Sequence, residues 1–180
     1  DLHSFPTRRS SDLGNLATIT FKGNEAHTSG ELPAVGTALA DFKLVAQDLS
    51  EKSLADFKGK RLVLNIFPSI DTGVCQASAR KFNVEATNLE NTVVINVARD
   101  LPFAMSRFCA AEGLDNIDNL SDFRSDYGDR LGVVLTDTPL KGLLSRAVVV
   151  TDETHKIIYT ELVAELTDEP NYDAAIAALK

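Results

Sequence analysis

The chain has 180 residues, 44% of them hydrophobic and 24% charged, with a formal net charge of -8. That length fits one domain, and the apolar fraction is enough for a core without disulfide staples. The acidic balance argues against nucleic acid or an anionic membrane surface as the main partner, because phosphate recognition needs clustered Lys and Arg; no apolar run is long enough to cross a membrane as a helix.

Residues 1–13, DLHSFPTRRSSDL, have no apolar h-region, no initiating Met and little periodic pattern. They resemble translated adapter sequence and are set aside as a non-native leader; the alternative is a flexible basic tail. One α/β domain is expected over residues 16–180. LATITFKGNEAHT reads as a hairpin, two alternating runs around Lys22-Gly23-Asn24, with Gly-Asn as the turn pair. SGELPAVGTALA is loop, DFKLVAQDLS a short strand running into a turn, and SLADFKGK a short element with Ser53 as cap and Gly59 as stop.

RLVLNIF (Arg61–Phe67) and NTVVINVA (Asn91–Ala98) are continuous apolar runs rich in β-branched residues. Strands covered on both faces have this pattern. Between them, Phe82, Ala86 and Leu89 recur at spacings of four and three, one face of a helix. Strand, helix and strand make a right-handed βαβ unit. LPFAMSRFCAAEGL is a second helix, opened by Pro102 and closed by Gly113. LSDFRSDYGDRLG is a short helix with loops. RAVVVTD and HKIIYTELVAE form an antiparallel pair turning at Asp152–Thr154, and EPNYDAAIAALK closes the chain as a helix with Pro170 near its start.

The two cysteines, Cys75 and Cys109, are too few for a secreted disulfide scaffold. Two inert buried thiols are one reading of them. The surroundings of Cys75 favour another. FPSIDTGVC places it a short loop after a buried strand, in the first turn of a helix. Helix-opening N–H groups lack intrahelical acceptors, and with the macrodipole they favour an anion, so a thiol there should lose its proton more easily. The Thr72 hydroxyl is positioned to donate to the sulfur and to bind an anionic oxygen. Pro68 removes an N–H and fixes the start of the loop, and Gly73 lets backbone approach a ligand. Asp71 is expected to cap the helix rather than relay a proton.

Pro68-Ser-Ile-Asp-Thr72-Gly-Val-Cys75 is similar to the active-site pattern P-x-x-x-T-x-x-C of peroxiredoxins. NIFPSIDTGVC, DLPFAMSRFCAAEGL and PLKGLLSRAVVVTDE resemble segments of the bacterial thiol peroxidases, the atypical two-cysteine subfamily. The likeness runs from about Leu16 onward; Ala98-Arg99 and Met105 depart from the pattern without touching its chemistry. The resemblance implies a thioredoxin-like fold, a central mixed sheet flanked by helices, with an added N-terminal β-hairpin. It implies that Cys75 is the peroxidatic cysteine, Thr72 and Pro68 complete its pocket, Arg146 flanks the thiolate and Cys109 is the resolving cysteine of the same chain. A solvated charge at a strand start is the competing reading of Arg146. The implied activity is reduction of hydrogen peroxide and organic hydroperoxides, with thioredoxin as reductant and a homodimer as assembly. Because the cysteines fall on different helices and a disulfide needs Cα atoms within roughly 7 Å, both sites are expected to rearrange on oxidation. A general thiol–disulfide oxidoreductase is disfavoured by the lack of C-x-x-C, and a redox sensor remains a second role.

No cofactor or metal is expected: His3, His27 and His155 are scattered without ligand spacing, and there is no P-loop or G-x-G-x-x-G. The missing h-region and the need for a reducing partner point to the cytoplasm.

Overall fold

In the computed structural model, which describes residues 16–180, the chain opens with β1 (Thr18–Phe21) and β2 (Asn24–His27). The leader expected over residues 1–13 lies outside the described residues. β1 and β2 pair antiparallel. Their turn is Lys22-Gly23, one position earlier than the Gly-Asn pair the sequence favours. Both residues have positive φ, 53° and 80°, which a two-residue type I′ turn demands.

β3 (Leu44–Val45) and β4 (Glu51–Lys52) are brief, and a 3-10 turn follows at Leu54–Phe57, capped by Ser53, whose N–H donates to the Asp56 carboxylate at 2.8 Å. Then come β5 (Arg61–Ile66), α1 (Gly73–Ala86) and β6 (Thr92–Ala98). β5 and β6 lie side by side and parallel, with Arg61 opposite Thr92 and Ile66 opposite Val97, so the expected βαβ unit forms. α1 ends earlier than the apolar spacing indicates. The Thr87 hydroxyl donates to the Val84 carbonyl at 2.7 Å and tightens the last turn, so Leu89 packs from a turn beyond the helix.

α2 (Pro102–Glu112) begins at its proline and stops at Gly113, whose φ of 68° is the left-handed end conformation. β7 (Ile117–Ser121) follows, a strand the sequence does not announce because Asp118 and Asn119 interrupt its apolar character. α3 (Tyr127–Arg130), β8 (Ala147–Thr151), β9 (Ile157–Leu162) and α4 (Tyr172–Ala177) complete the chain. Asp152 holds the β8–β9 turn by accepting from the Thr154 and Lys156 amides, each at 2.9 Å. α4 is capped by Asn171, which accepts from the Ala174 amide at 3.0 Å.

The main sheet has the order β4-β3-β7-β6-β5-β8-β9, with β5, β6 and β7 parallel and the other pairings antiparallel. It is buried on both faces, as the continuous apolar runs require. Leu62, Leu64 and Ile66 of β5 point to one layer, with Phe42, Tyr127 and Leu144. Val63 points to the other, with Cys75, Ala79 and Phe82 of α1 and Met105, Phe108 and Cys109 of α2. Phe82 is 1% exposed and meets Tyr172 of α4 edge-on, with ring centroids 5.1 Å apart. Truncating such a buried ring to Ala costs about 3–5 kcal/mol. The core therefore contains both thiols.

Candidate active site

Phe67 ends the apolar run at the carboxyl edge of the parallel strands. Pro68 is buried and has no N–H to leave unsatisfied there. The loop then turns sharply on Asp100, the residue that leaves the adjacent β6. Its carboxylate accepts from the Ile70 amide at 2.7 Å and the Ser69 hydroxyl at 2.8 Å. The parallel register puts these segments together, and the sequence reading missed Asp100 because its partners are loop atoms some thirty residues away.

Thr72 is the N-cap of α1 and has extended backbone. Its hydroxyl oxygen accepts from the Cys75 amide at 3.4 Å and its proton goes to the Ser69 carbonyl at 3.1 Å. This corrects the expectation that Thr72 donates to the sulfur: a hydroxyl has one proton, and in this structure the loop takes it. The cap is Thr72 and not Asp71. Asp71 is exposed and its carboxylate faces Arg107 of α2 at 3.2 Å, a surface pair of small energetic weight.

Cys75 sits at the third helical position, fully buried. Gly73 and Val74, before it, are amides without intrahelical acceptors. Opposite them comes Arg146. β5 and β8 run antiparallel with Ile66 opposite Ala147, so the residue before β8 lies beside the end of β5. Arg146 is 3% exposed and its Nη1 donates to Cys75 Sγ at 3.4 Å. It is not a solvated charge. Its Nε donates to the Leu166 carbonyl at 3.0 Å, which fixes the plane of the guanidinium.

The hairpin supports this clamp. The Leu166 amide donates to the Thr20 carbonyl at 2.8 Å, and the neighbouring Glu165 carboxylate accepts from the Gly23 amide at 2.8 Å and the Thr20 hydroxyl at 3.0 Å. The Thr167 amide first, and then these bonds from the hairpin, hold Glu165 down to about 2. A line of contacts thus runs from β1–β2 through Leu166 and Arg146 to the sulfur.

Cys109 lies on α2 in the same apolar layer as Cys75, 4% exposed, and both thiols are free. Asn119 Nδ2 of β7 donates to its sulfur at 3.1 Å. Burial pushes the Cys109 thiol up, and the Asn119 hydrogen bond pulls against that. Cys75, Arg146, Thr72 and Pro68 converge at one loop; Cys109 approaches the same layer from a different helix.

A groove of about 720 Å³ lined by Asp41, Phe42, Arg124 and Arg130 does not include either cysteine among its lining residues. No group of three potential metal ligands is found among the described residues. His27 is tied to Asp137 at 2.7 Å and Glu25 at 3.1 Å, which raises it above its ordinary value, the Asp137 hydrogen bond first. His155 Nε2 lies 3.0 Å from the Phe57 carbonyl.

The chain is similar to proteins of known kind over nearly all of its described length. A family model described as Redoxin matches residues 34–176. A thiol peroxidase of Corynebacterium glutamicum is 57% identical over 164 residues, covering 91% of this chain and 99% of that one. Among solved structures, a peroxiredoxin-like protein from Aquifex aeolicus superposes with a TM-score of 0.85 at 37% identity, covering 92% of this chain and 98% of that one. A thiol peroxidase from Chromobacterium violaceum does so with a TM-score of 0.84 at 25% identity, covering 90% and 94%.

Proposed function

The chain belongs to the redoxin family and is a thiol-dependent peroxidase of thioredoxin-like fold, and we propose that Cys75 is the sulfur that attacks the peroxide. The observation that carries this assignment is the buried Arg146 guanidinium 3.4 Å from Cys75 Sγ, facing the opening turn of α1. A full positive charge and a helix N-terminus both stabilise negative charge on that sulfur, and burial strengthens their effect.

The thiolate attacks one peroxide oxygen in line with the O–O bond. That bond breaks and its electron pair leaves on the second oxygen, which takes a proton to become water or an alcohol. Cys75 becomes a sulfenic acid. Arg146 and the free amides of the first turn are the donors for the departing oxygen, which develops charge only in the transition state. Thr72 and Pro68 shape the pocket; once peroxide displaces the Ser69 contact, the Thr72 hydroxyl becomes a further donor.

Cys109 is the resolving residue of this reading. Its sulfur attacks the sulfenic sulfur and hydroxide leaves and is protonated, giving an intramolecular disulfide and water. Both thiols are buried on separate helices, so the first turn of α1 and the C-terminal part of α2 must open for the bond to form. Crystal structures of the reduced and oxidised protein test this, and unchanged backbone at both cysteines excludes it.

A dithiol donor then reopens the bridge by exchange, and thioredoxin is the donor this reading assigns, acting in the cytoplasm. Homodimerisation is part of it: Leu101, Phe103 and Phe123, 51%, 63% and 41% exposed, follow β6 and β7 at the site end of the sheet. None of the described helices is long and apolar enough to cross a membrane. The deciding experiment couples NADPH oxidation to peroxide through thioredoxin reductase, thioredoxin and this protein. Repeated turnover is expected; oxidation that stops after one equivalent identifies a sensor instead.

A further inference from the structure

Three asparagines lie in a row across the centre of the sheet. The parallel registers place Asn65 of β5 opposite Asn96 of β6, and Asn96 opposite Asn119 of β7. Their exposures are 0%, 0% and 4%. All three side chains share the face that carries α1 and α2, in a layer whose buried hydrophobic residues are aliphatic side chains, Phe, Met and the two thiols. Amides in such a place are costly unless hydrogen-bonded, and these are bonded to one another.

The direction of the bonds matters. Asn65 Nδ2 donates to Asn96 Oδ1 at 3.0 Å, Asn96 Nδ2 donates to Asn119 Oδ1 at 3.0 Å, and Asn119 Nδ2 donates to Cys109 Sγ at 3.1 Å. Every amide points its donor the same way. The chain begins at Asn65 Oδ1, a buried oxygen without a partner among the described residues, and ends on sulfur. Asn65 Nδ2 also donates to the Ser78 hydroxyl at 3.2 Å, and that hydroxyl donates to the Cys75 carbonyl at 2.9 Å. One polar thread therefore connects the backbone of the first cysteine with the side chain of the second.

We propose that this asparagine ladder is a positioning device for Cys109: it fixes Asn119 with its N–H toward the sulfur, holds the thiol in one orientation and stabilises its thiolate inside an apolar layer. Asn96 is what prevents the Asn119 amide from flipping its oxygen toward the sulfur. Three aligned amide dipoles present their positive end to Cys109, and each bond polarises the next. The surrounding charges do not substitute for this. Asp115, beyond the end of α2, opposes ionisation of Cys109. Arg80 of α1 sits over the Phe108 ring at 5.4 Å but is paired with Glu112 of α2 at 3.0 Å. Arg107 of α2 is paired with Asp71, and Arg146 is engaged with Cys75 and Leu166. The inference rests on the resolving role of Cys109 for its use in the reaction, but not for its electrostatics.

The test has two arms. In a Cys75→Ser background, where Cys109 is the remaining thiol of the chain, ultraviolet thiolate absorbance is followed against pH in the reduced protein. Asn119→Leu, close in volume but without a donor, moves the Cys109 midpoint upward by about one pH unit, the scale of one hydrogen bond to a charged group. Asn96→Leu, which does not touch the sulfur, moves it in the same direction by less. In the protein with both cysteines, Asn119→Leu slows disulfide formation after a peroxide pulse about tenfold at neutral pH, and the deficit closes at alkaline pH where thiolate is no longer scarce. A midpoint that stays put in Asn96→Leu overturns the ladder even if Asn119→Leu does not fold. A slowing of equal size at every pH overturns it too, because lost packing alone has that signature. The titration is independent of the reaction: if Cys109→Ser recycles normally while the midpoints move as stated, the resolving assignment fails and the ladder stands.

Discussion

The two sulfurs are buried in one apolar layer, yet they are held by different supports. Cys75 is gripped from the side of the hairpin. Its partner Arg146 carries a full charge, is fixed by the Leu166 carbonyl, and owes that carbonyl's position to the hairpin β1–β2. Cys109 is gripped from the middle of the sheet, by a neutral amide backed by two more. A charged donor suits Cys75 in its proposed role, the sulfur that meets peroxide and sheds charge onto a departing oxygen. A neutral donor suits Cys109 in its proposed role, a sulfur that waits for a sulfenic acid. The contrast also means that the first support can be loosened from outside without disturbing the core, and the second cannot.

The sharpest way to break the contrast is to remove each sulfur in turn. Cys75→Ser is expected to abolish peroxide consumption. Cys109→Ser is expected to retain a single oxidation of Cys75 and lose recycling by thioredoxin. Rapid-quench mass measurement of the sulfenic acid separates the two, and peroxide turnover surviving in Cys75→Ser would overturn the assignment. Next in size is Arg146. Removing one preorganised donor to developing charge typically costs a factor of about 10² to 10³. Arg146→Ala should therefore slow single-turnover oxidation of Cys75 by about that much. Arg146→Lys should fall between, since a point charge cannot address the sulfur and the Leu166 carbonyl with one rigid fork. A lysine variant as fast as the parent would show that charge alone is enough and that the hairpin-borne carbonyl is idle.

A smaller effect probes the outer support. Glu165 receives two bonds from the hairpin and its carboxylate is held down to about 2, so the tie is intact at neutral pH. Glu165→Ala removes it without altering the sheet. Cys75 oxidation should slow about three- to tenfold, on the scale of about one lost hydrogen bond transmitted to Arg146, while the ultraviolet titration of Cys109 stays in place. If both sulfurs respond, the two supports are not separate.

How much of this could be read from residue order alone depends on the kind of contact. Pro68, Thr72 and Cys75 are local in sequence, and a strand-to-helix turn carries its own signals, so the loop and the place of Cys75 in the first helical turn were legible. Arg146 was legible through the family likeness, although nothing about an arginine before AVVV says that it will be 3% exposed. Asp71 beside a helix start has the look of a cap; the structure gives that role to Thr72 because its own extended backbone and hydroxyl already serve the Cys75 amide. The Leu166 clamp is a backbone carbonyl and has no sequence signature. Asp100 and the asparagine row depend on parallel register between strands whose partner residues lie 23 to 31 positions apart. In β7 the effect was stronger: Asp118 and Asn119 disguise a strand as a loop, because a polar residue serving the core looks the same in sequence as one facing water.

The smallest effect is thermodynamic and concerns Cys109 alone. Burial raises its thiol above the ordinary value in the folded state, with Asp115 adding to the rise and Asn119 only partly offsetting it. In the unfolded chain the thiol ionises near its ordinary value. Below that value both states hold the proton and the group has no influence on the balance. As pH rises past it, the unfolded state releases the proton first and is favoured, so stability falls by up to about 1.4 kcal/mol per pH unit until the folded thiol ionises as well. Tyr127, Tyr159 and Tyr172 are also raised by burial and add alkaline slopes of their own, which makes a single melting curve ambiguous. A difference removes them. In the Cys75→Ser background, protein with Cys109 should lose about 2–4 °C more in melting temperature than Cys109→Ala for each kcal/mol of this penalty, and only above the ordinary thiol range. Asn119→Leu should widen the window over which the loss accumulates, since it lifts the folded midpoint and leaves the unfolded one alone. Parallel melting curves for Cys109 and Cys109→Ala would mean that the sulfur ionises as easily inside as outside, and the contrast between a charged and a neutral support would lose its meaning.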